Sequence, residues 1–428
     1  MTALIIFGLL ALLMLTGMPI SISLGLTVLT FLYTLTQVPV ESVALKLFTG
    51  IEKFEIMAIP FFILAGNFLT HGGVARRMIR FATSLVGHWH GGLGLGAVVA
   101  CALFAAVSGS SPATVVAIGS ILLPAMVKAG YPMRFGAGVV ASSGALGILI
   151  PPSIVMVMYA VSTNSSIGAL FMAGVIPGAV LAVMLLFTTW YRAWKHHYPR
   201  EKRATWKERA IALKESIWGL MLIVVVMGGI YSGLFTPTEA AAMSAVYAFF
   251  VVVFIYREFS LRDVPKVLLA SANMSAMLLY IITNAVLFSF LLTHENIPQA
   301  VSDWLMSSGL GVVGFLLAVN ILLLVMGNFM EPSSIILITA PILFPIAMAM
   351  GIDPVHFGVM ITVNMEIGMI TPPVGLNLYV ASGISKLGLT EMSIAVSPWL
   401  LTMLAFLMIV TFVPELSLWL PRTLGMIN

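Results

Sequence analysis

Ile121-Leu122-Leu123-Pro124 recurs 221 residues later as Ile342-Leu343-Phe344-Pro345, and the shared punctuation continues. At the same offset Gly130 matches Gly351, Gly147 matches Gly368, and Pro151-Pro152 matches Pro372-Pro373. Seven identities fall within the 42 aligned positions from 112 to 153, where about three are expected by chance in a self-alignment. A weaker echo pairs Leu69-Thr70-His71 with Leu292-Thr293-His294, now 223 residues apart. The chain is a duplication, and what the two copies are made of decides the fold.

They are made for lipid. Of the 428 residues 60% are apolar and 8% charged, and mean hydropathy is +1.10, whereas a soluble domain carries about 25% charge. So few charges cannot cover a water-facing surface, so the expected fold is an all-α polytopic membrane protein. Cys101 is the single cysteine, which excludes an intramolecular disulfide and any multi-cysteine metal site. No basic domain stands apart, so nucleic acid is not an expected partner.

Spanning segments are predicted near 2–16, 20–36, 54–70, 135–162, 167–190, 216–232, 238–256, 268–292, 355–385 and 392–414. The apolar N-terminus lacks the basic flank of a cleaved signal and reads as a first membrane helix. Two further apolar blocks, 92–127 and 310–349, are interrupted at their centres by polar, Pro-containing sequence. With the N-terminus outside and each block a there-and-back excursion, 17 of the 20 Lys and Arg residues face inside, leaving Lys46, Lys53 and Arg422 outside. That bias is the positive-inside rule. Five spans per half is an odd number, so the second half enters the membrane from the opposite side. The expected organisation is a first inverted repeat over 1–190, a basic cytoplasmic linker over 191–215, and a second repeat over 216–428. Inverted repeats characterise secondary transporters.

The limbs of the first block hold about 15–17 residues each, roughly 23–25 Å of helix, short of the ~30 Å hydrocarbon core. Between them lies Ser108-Gly109-Ser110-Ser111-Pro112; the second block turns at Gly327-Asn328-Phe329-Met330-Glu331-Pro332-Ser333-Ser334. Both read as re-entrant hairpins whose tips meet near the midplane, where irregular backbone is tolerated only against protein or a water-filled cavity. The alternative is ordinary helices with Pro turns outside the membrane. After each hairpin comes a helix broken in mid-span, at Gly147-Ile148-Leu149-Ile150-Pro151-Pro152-Ser153 and at Gly368-Met369-Ile370-Thr371-Pro372-Pro373-Val374-Gly375. Consecutive prolines remove two backbone donors and unwind the helix. The freed carbonyls, with hydroxyls and amides, suit a hard monovalent cation such as Na⁺; a structural Pro kink is the alternative for either break alone.

Apart from Glu55 and Glu239, each the second residue of its span, Glu331 and Glu366 are the acidic side chains within the predicted spans and hairpins, and intramembrane carboxylates are functional candidates. Snorkelling or a helix–helix hydrogen bond accounts for Glu366 equally well. No Lys or Arg lies in the predicted core, so an anionic substrate must rely on helix N-termini near 113 and 334 and on bound cations. There is no GxxxxGK[ST] loop, so no nucleotide is expected, and HExxH and GxSxG are absent. An intramembrane enzyme using the two glutamates as an acid–base pair has no other support.

At Ala58-Ile59-Pro60-Phe61-Phe62-Ile63-Leu64-Ala65-Gly66, at Ser108 to Thr114, at Gly233-Leu234-Phe235-Thr236-Pro237-Thr238-Glu239-Ala240-Ala241 and at Gly368 to Gly375, the sequence resembles the large membrane subunit of TRAP (tripartite ATP-independent periplasmic) transporters. The resemblance covers essentially the whole chain. It implies a bacterial inner-membrane protein that works with a small four-helix membrane subunit and a soluble periplasmic binding protein. It also implies Na⁺-coupled, elevator-type uptake of an organic acid, with no further cofactor. Carried onto this chain, cation sites fall at Ser108, Gly109, Ser110, Ser111, Gly147 and Pro151, and at Asn328, Glu331, Gly368, Thr371, Pro372 and Gly375. Substrate contacts fall at Ser111, Thr114, Ser333, Ser334 and Asn377. Asn364 to Gly368 with Asn377-Leu378-Tyr379 looks more like the C4-dicarboxylate branch than the sialic-acid branch. A stand-alone ion-coupled anion carrier is the other reading.

Overall fold

A computed structural model of the chain describes residues 2–36, 38–300, 303, 309, 311–372 and 375–427. Every regular element among these residues is helical, as a bilayer requires of a chain that must satisfy its backbone internally. Eight helices are long and apolar enough to span. Shorter apolar pieces include Gly92–Ser108, Ile154–Thr163 and Gly311–Gly327, the limbs and half-helices that the interruptions demand.

The element bounds repeat the offset found in the sequence. Ser111–Lys128 is matched by Pro332–Ala349, and the helix starting at Met133 by the one starting at Pro354, each 221 residues on. The first hairpin therefore comprises Gly92–Ser108 and Ser111–Lys128, and the second Gly311–Gly327 and Pro332–Ala349. Pro occupies the first or second position of both descending limbs, where its missing N–H costs nothing.

The next pair in the series, Ile167–Lys195 and Leu389–Phe412, run antiparallel against each other. Thr188 Oγ1 and Thr402 Oγ1 share a hydrogen bond of 2.7 Å, Trp399 Nε1 donates to Thr189 Oγ1 at 2.9 Å, and Arg192 stands over the Trp399 ring. Rising numbers on one helix meet falling numbers on the other. The hairpin bases sit accordingly at opposite ends of Ile167–Lys195. Tyr131, after the first hairpin, donates to Pro199 O at 2.7 Å beyond the C-terminus of that helix. Pro354, after the second, accepts from Tyr159 Oη at 2.8 Å, ahead of its N-terminus.

Two features depart from the sequence reading. Much of the expected linker is helix: Ile167–Lys195 continues past the lipid edge, and the next helix starts at Trp206, leaving 196–205 between them. Thr205 and Glu208 form a reciprocal capping box at that start, which fixes the boundary. By contrast, residues 135–162 and 355–385 are each two helical pieces around a break, as the doubled prolines predict. The other departure is Val74–Val86, an amphipathic helix. Its buried stripe (Val74, Ala75, Met78, Ile79, Ala82) is one-sided, so a search for long apolar runs passes over it. On its polar side Arg77 pairs with Glu258 at 2.7 Å and Arg80 with Glu215 at 2.6 Å.

Candidate functional site

The first tip turns at Gly109, whose φ of +60° is left-handed and favours a residue without Cβ. Its N–H donates to Ala105 O at 3.0 Å, closing the helix Gly92–Ser108. A Cβ there would stand 2.8 Å from Pro152 O, and one on Gly147 would stand 2.7 Å from Ser110 C and O. Tip and break thus touch backbone to backbone from both directions. The hydroxyls of Ser108, Ser111 and Thr114 are engaged. Ser108 Oγ and Thr114 Oγ1 share a 2.9 Å hydrogen bond, and Thr114 Oγ1 donates to Ser110 O at 2.9 Å. Ser111 Oγ donates to Gly144 O at 2.8 Å and accepts from Asn377 Nδ2 at 2.7 Å, tying the first tip to the second half. Pro151 is buried in the break. Below it, Ser153 Oγ donates to Ile148 O at 2.5 Å and accepts from Met156 N at 3.3 Å, capping Ile154–Thr163.

The second tip uses a different chemistry. Gly327 lies against Gly368, each so close that a Cβ would come within 2.8 Å of the other's Cα. Glu331 starts the descending limb and accepts from Ser333 Oγ at 2.5 Å and from Ser334 Oγ at 3.4 Å. Asn328 Oδ1 is buried with no hydrogen-bond partner among the described residues, an oxygen that a hard cation could use. In the second break Thr371 Oγ1 donates to Ile367 O at 2.6 Å, and Asn377 N donates to Met369 O at 2.9 Å across the gap. Gly375, at φ +48°, restarts the chain as Leu376–Ser385. Pro372 is half-buried; Pro373 and Val374 of the expected motif lie outside the described residues.

Both tips face one cavity of about 440 Å³. Gly109, Ser110 and Ser111 line it from the first half, and Glu331, Ser333 and Ser334 from the second. Ile148 and Met369 bring in both breaks, while Met274, Met277 and Ile281 of Val264–His294 supply an apolar wall. The helices Ser111–Lys128 and Pro332–Ala349 both begin at this cavity, so two positive dipole ends converge on it, the second already met by the Glu331 carboxylate at the N–H groups of Ser333 and Ser334. The arrangement can receive an anion without a Lys or Arg.

Of the predicted positions, Ser108, Thr114, Gly147, Pro151, Asn328, Gly368, Thr371, Pro372, Gly375 and Asn377 stand outside this lining. Thr114 spends its hydroxyl holding the tip together, and Asn377 orients Ser111. Glu366 lies fully buried in Pro354–Gly368, with both carboxylate oxygens unpartnered among the described residues. Sequence reasoning passed over the cap at Ser153, which a hydroxyl directly after Pro-Pro could have signalled. It also passed over a buried chain in which Asn364 Nδ2 donates to Asn320 Oδ1 at 2.8 Å and Asn320 Nδ2 donates to Thr411 Oγ1 at 2.9 Å. An Asn inside the apolar run 311–327 was its visible sign.

Residues 7–416 match the family described as "Tripartite ATP-independent periplasmic transporter, DctM component". The chain is 72% identical over its full length to the whole of the C4-dicarboxylate TRAP transporter large permease protein DctM of Rhodobacter capsulatus. It is 54% identical to the protein of the same description from Pseudomonas aeruginosa, with 94% of this chain and 95% of that one covered. The sialic acid TRAP transporter large permease protein SiaM of Vibrio cholerae is 37% identical, with 97% of each covered. Among solved structures, the Alcanivorax borkumensis YdaH transporter superposes with a TM-score of 0.63 at 16% identity, covering 92% of this chain and 89% of that one; this is a likeness of fold.

Proposed function

Because the chain belongs to the DctM family of tripartite ATP-independent periplasmic transporters, as a large permease of C4-dicarboxylate type whose role is transport rather than catalysis, we propose that it is the translocating subunit of a Na⁺-coupled uptake system importing a C4-dicarboxylate. In this reading a periplasmic binding protein delivers the substrate and a small four-helix subunit completes the membrane complex. The observation that carries it is the pair of hairpin tips facing each other across one cavity. The N-terminus of Ser111–Lys128 offers N–H groups to one carboxylate, a cation held beside Glu331 meets the other, and the methionine wall accepts the carbon chain between them.

The cations belong at the two tip–break contacts. On one side stand the carbonyls of Ser110 and Pro152 with the hydroxyls around them; on the other, Asn328 Oδ1, Glu331 and the carbonyls near Gly368 and Thr371. Oxygen-only donor sets suit Na⁺, and neutralisation beside the cavity favours a dianion there. The antiparallel packing of counterpart helices supports two inverted halves and an elevator-like exchange of access. Charge bias places the N-terminus in the periplasm.

The test is reconstitution with the membrane partner and binding protein. Succinate should accumulate under an inward Na⁺ gradient and not without one. Uptake indifferent to Na⁺ would overturn the coupling, and uptake of sialic acid in place of succinate would overturn the substrate. With Cys101 replaced, a cysteine at Asn164 should react with an impermeant thiol reagent from outside, and one at Lys128 from inside alone; the reverse pattern would invert the topology.

A further inference from the structure

A second pocket, of about 250 Å³, is lined by Lys46, Thr49, Lys53, Ser162 and Ser289. Its position relative to the central cavity is fixed by three shared helices. Val264–His294 gives Ile281 to the cavity and Ala285 and Ser289 to this pocket. Pro332–Ala349 gives Ser334 to the first and Leu337 and Pro341 to the second, and Ile154–Thr163 gives Val155 and then Ser162. On each helix the pocket lies one to two turns further along in the same direction, about 10 Å at 1.5 Å per residue. It therefore sits over the central cavity, on the side to which the second hairpin's base and Asn164 belong.

Its charge is unusual for this chain. The topology leaves three basic residues on the periplasmic side, and two of them are here. Among the described residues neither lysine enters a salt bridge. Lys53 Nζ, half-buried, donates to Val161 O at 2.8 Å and to Asn164 Oδ1 at 2.6 Å, both neutral acceptors. Lys46 Nζ stands 5.4 Å from the Phe290 ring centroid. Burial pushes the Lys53 ammonium below the usual lysine range, partly offset by Glu55. Glu52 and Glu55 are themselves exposed and line no part of the pocket. An ammonium taken partly out of water and held by neutral oxygens gains from an arriving anion.

We propose that this pocket is an entry site for small dicarboxylates, in which Lys46 and Lys53 receive the two carboxylates before the substrate drops into the central cavity. The inference rests on the uptake reading above and deepens it: the central cavity offers dipoles and cations, and the mouth offers the fixed positive charge that the core lacks. Hydroxyls at Thr49, Ser162 and Ser289 complete the polar lining.

Two measurements test it in the full reconstituted complex. In the first, Lys46→Gln/Lys53→Gln should raise the apparent KM for succinate by about tenfold, as expected when a charged mouth no longer concentrates its ligand, with the maximal rate nearly unchanged. The dependence of KM on ionic strength should flatten, and Lys53→Arg should restore both. A fall in maximal rate with KM and salt dependence unaltered would overturn the proposal, making Lys53 a strut for the end of Ile154–Thr163. The second measurement needs no transport. With Cys101→Ala, Ser289→Cys should react at least about fivefold faster with an anionic than with a cationic methanethiosulfonate, a preference set by local potential and lost in the double lysine variant. Equal rates in the parent would overturn the anion site, whereas that preference without any succinate uptake would overturn the uptake reading alone. Protection of Ser289→Cys that follows the anionic-lipid content of the vesicle, and not succinate, would make the pocket a headgroup site and overturn the proposal.

Discussion

The two hairpin tips follow one plan and differ in what fills it. At Ser108–Ser111 every side chain is a hydroxymethyl or a hydrogen; Ser108 bonds to Thr114, and Ser111 to Gly144 O and Asn377. At Asn328–Ser334 a carboxylate takes the position that Ser110 holds in the first half, and Asn328 keeps a buried oxygen unpaired. The first tip engages two of its three serine hydroxyls; the second adds a carboxylate and a buried unpaired amide oxygen, acceptors that the proposed cation would complete. One backbone plan thus carries two different donor sets.

The widest expected effect tests what the halves share. Gly147→Ala and Gly368→Ala each push a Cβ to 2.7 Å from backbone atoms that cannot step aside. Each should cut succinate uptake by more than about a hundredfold, as displacement of the order of 1 Å does at a positioned site, while membrane insertion persists. Tolerance of alanine in one half would show that only the other holds a close contact. Next comes what they do not share. Glu331→Gln should lower uptake by about tenfold to a hundredfold and weaken activation by Na⁺, as loss of a charge-assisted ligand implies, whereas Ser110→Ala should stay within about threefold, the scale of a neutral hydrogen bond. Equal responses of the two variants to Na⁺ would erase the distinction between the tips. Glu366→Leu should raise the melting temperature in detergent by removing a buried carboxylate without partners, yet depress uptake, as destabilising groups retained at working sites do; full uptake would show that this carboxylate is merely tolerated. A smaller effect belongs to Ser153→Ala, which removes a helix cap worth about 1 kcal/mol. Thr371→Ala, where no side chain caps the following helix, should lower the melting point less.

Much of this was legible in the chain because lipid leaves few options. The hairpins were visible as apolar blocks too short to cross twice, and both tips fell where Gly, Ser and Pro interrupt them. The breaks were visible as doubled proline. What stayed hidden depends on partners distant in sequence: Asn377 reaching Ser111, Asn364 reaching Asn320, and the backing role of Thr114. Spacing reports what a residue can donate but not which carbonyl will take it. The helix Val74–Val86 stayed hidden for another reason: its period is readable, but its polar half lowers the average on which a search for spans relies.

The constancy of the 221-residue offset has a consequence of its own. From the descending limbs through the breaks and the helices beyond, the starts of counterpart helices keep that separation within a residue, while the ascending limbs stand 219 apart and the Leu-Thr-His pair ahead of them 223. Inside the tip–break module a single inserted residue would rotate every ligand behind it by about 100° on a helix, so its length is locked. Ahead of it the chain has slack. Grafts between relatives should therefore splice before Gly92 or Gly311, where the count is free to drift, and leave the interval as far as the second half-helix whole.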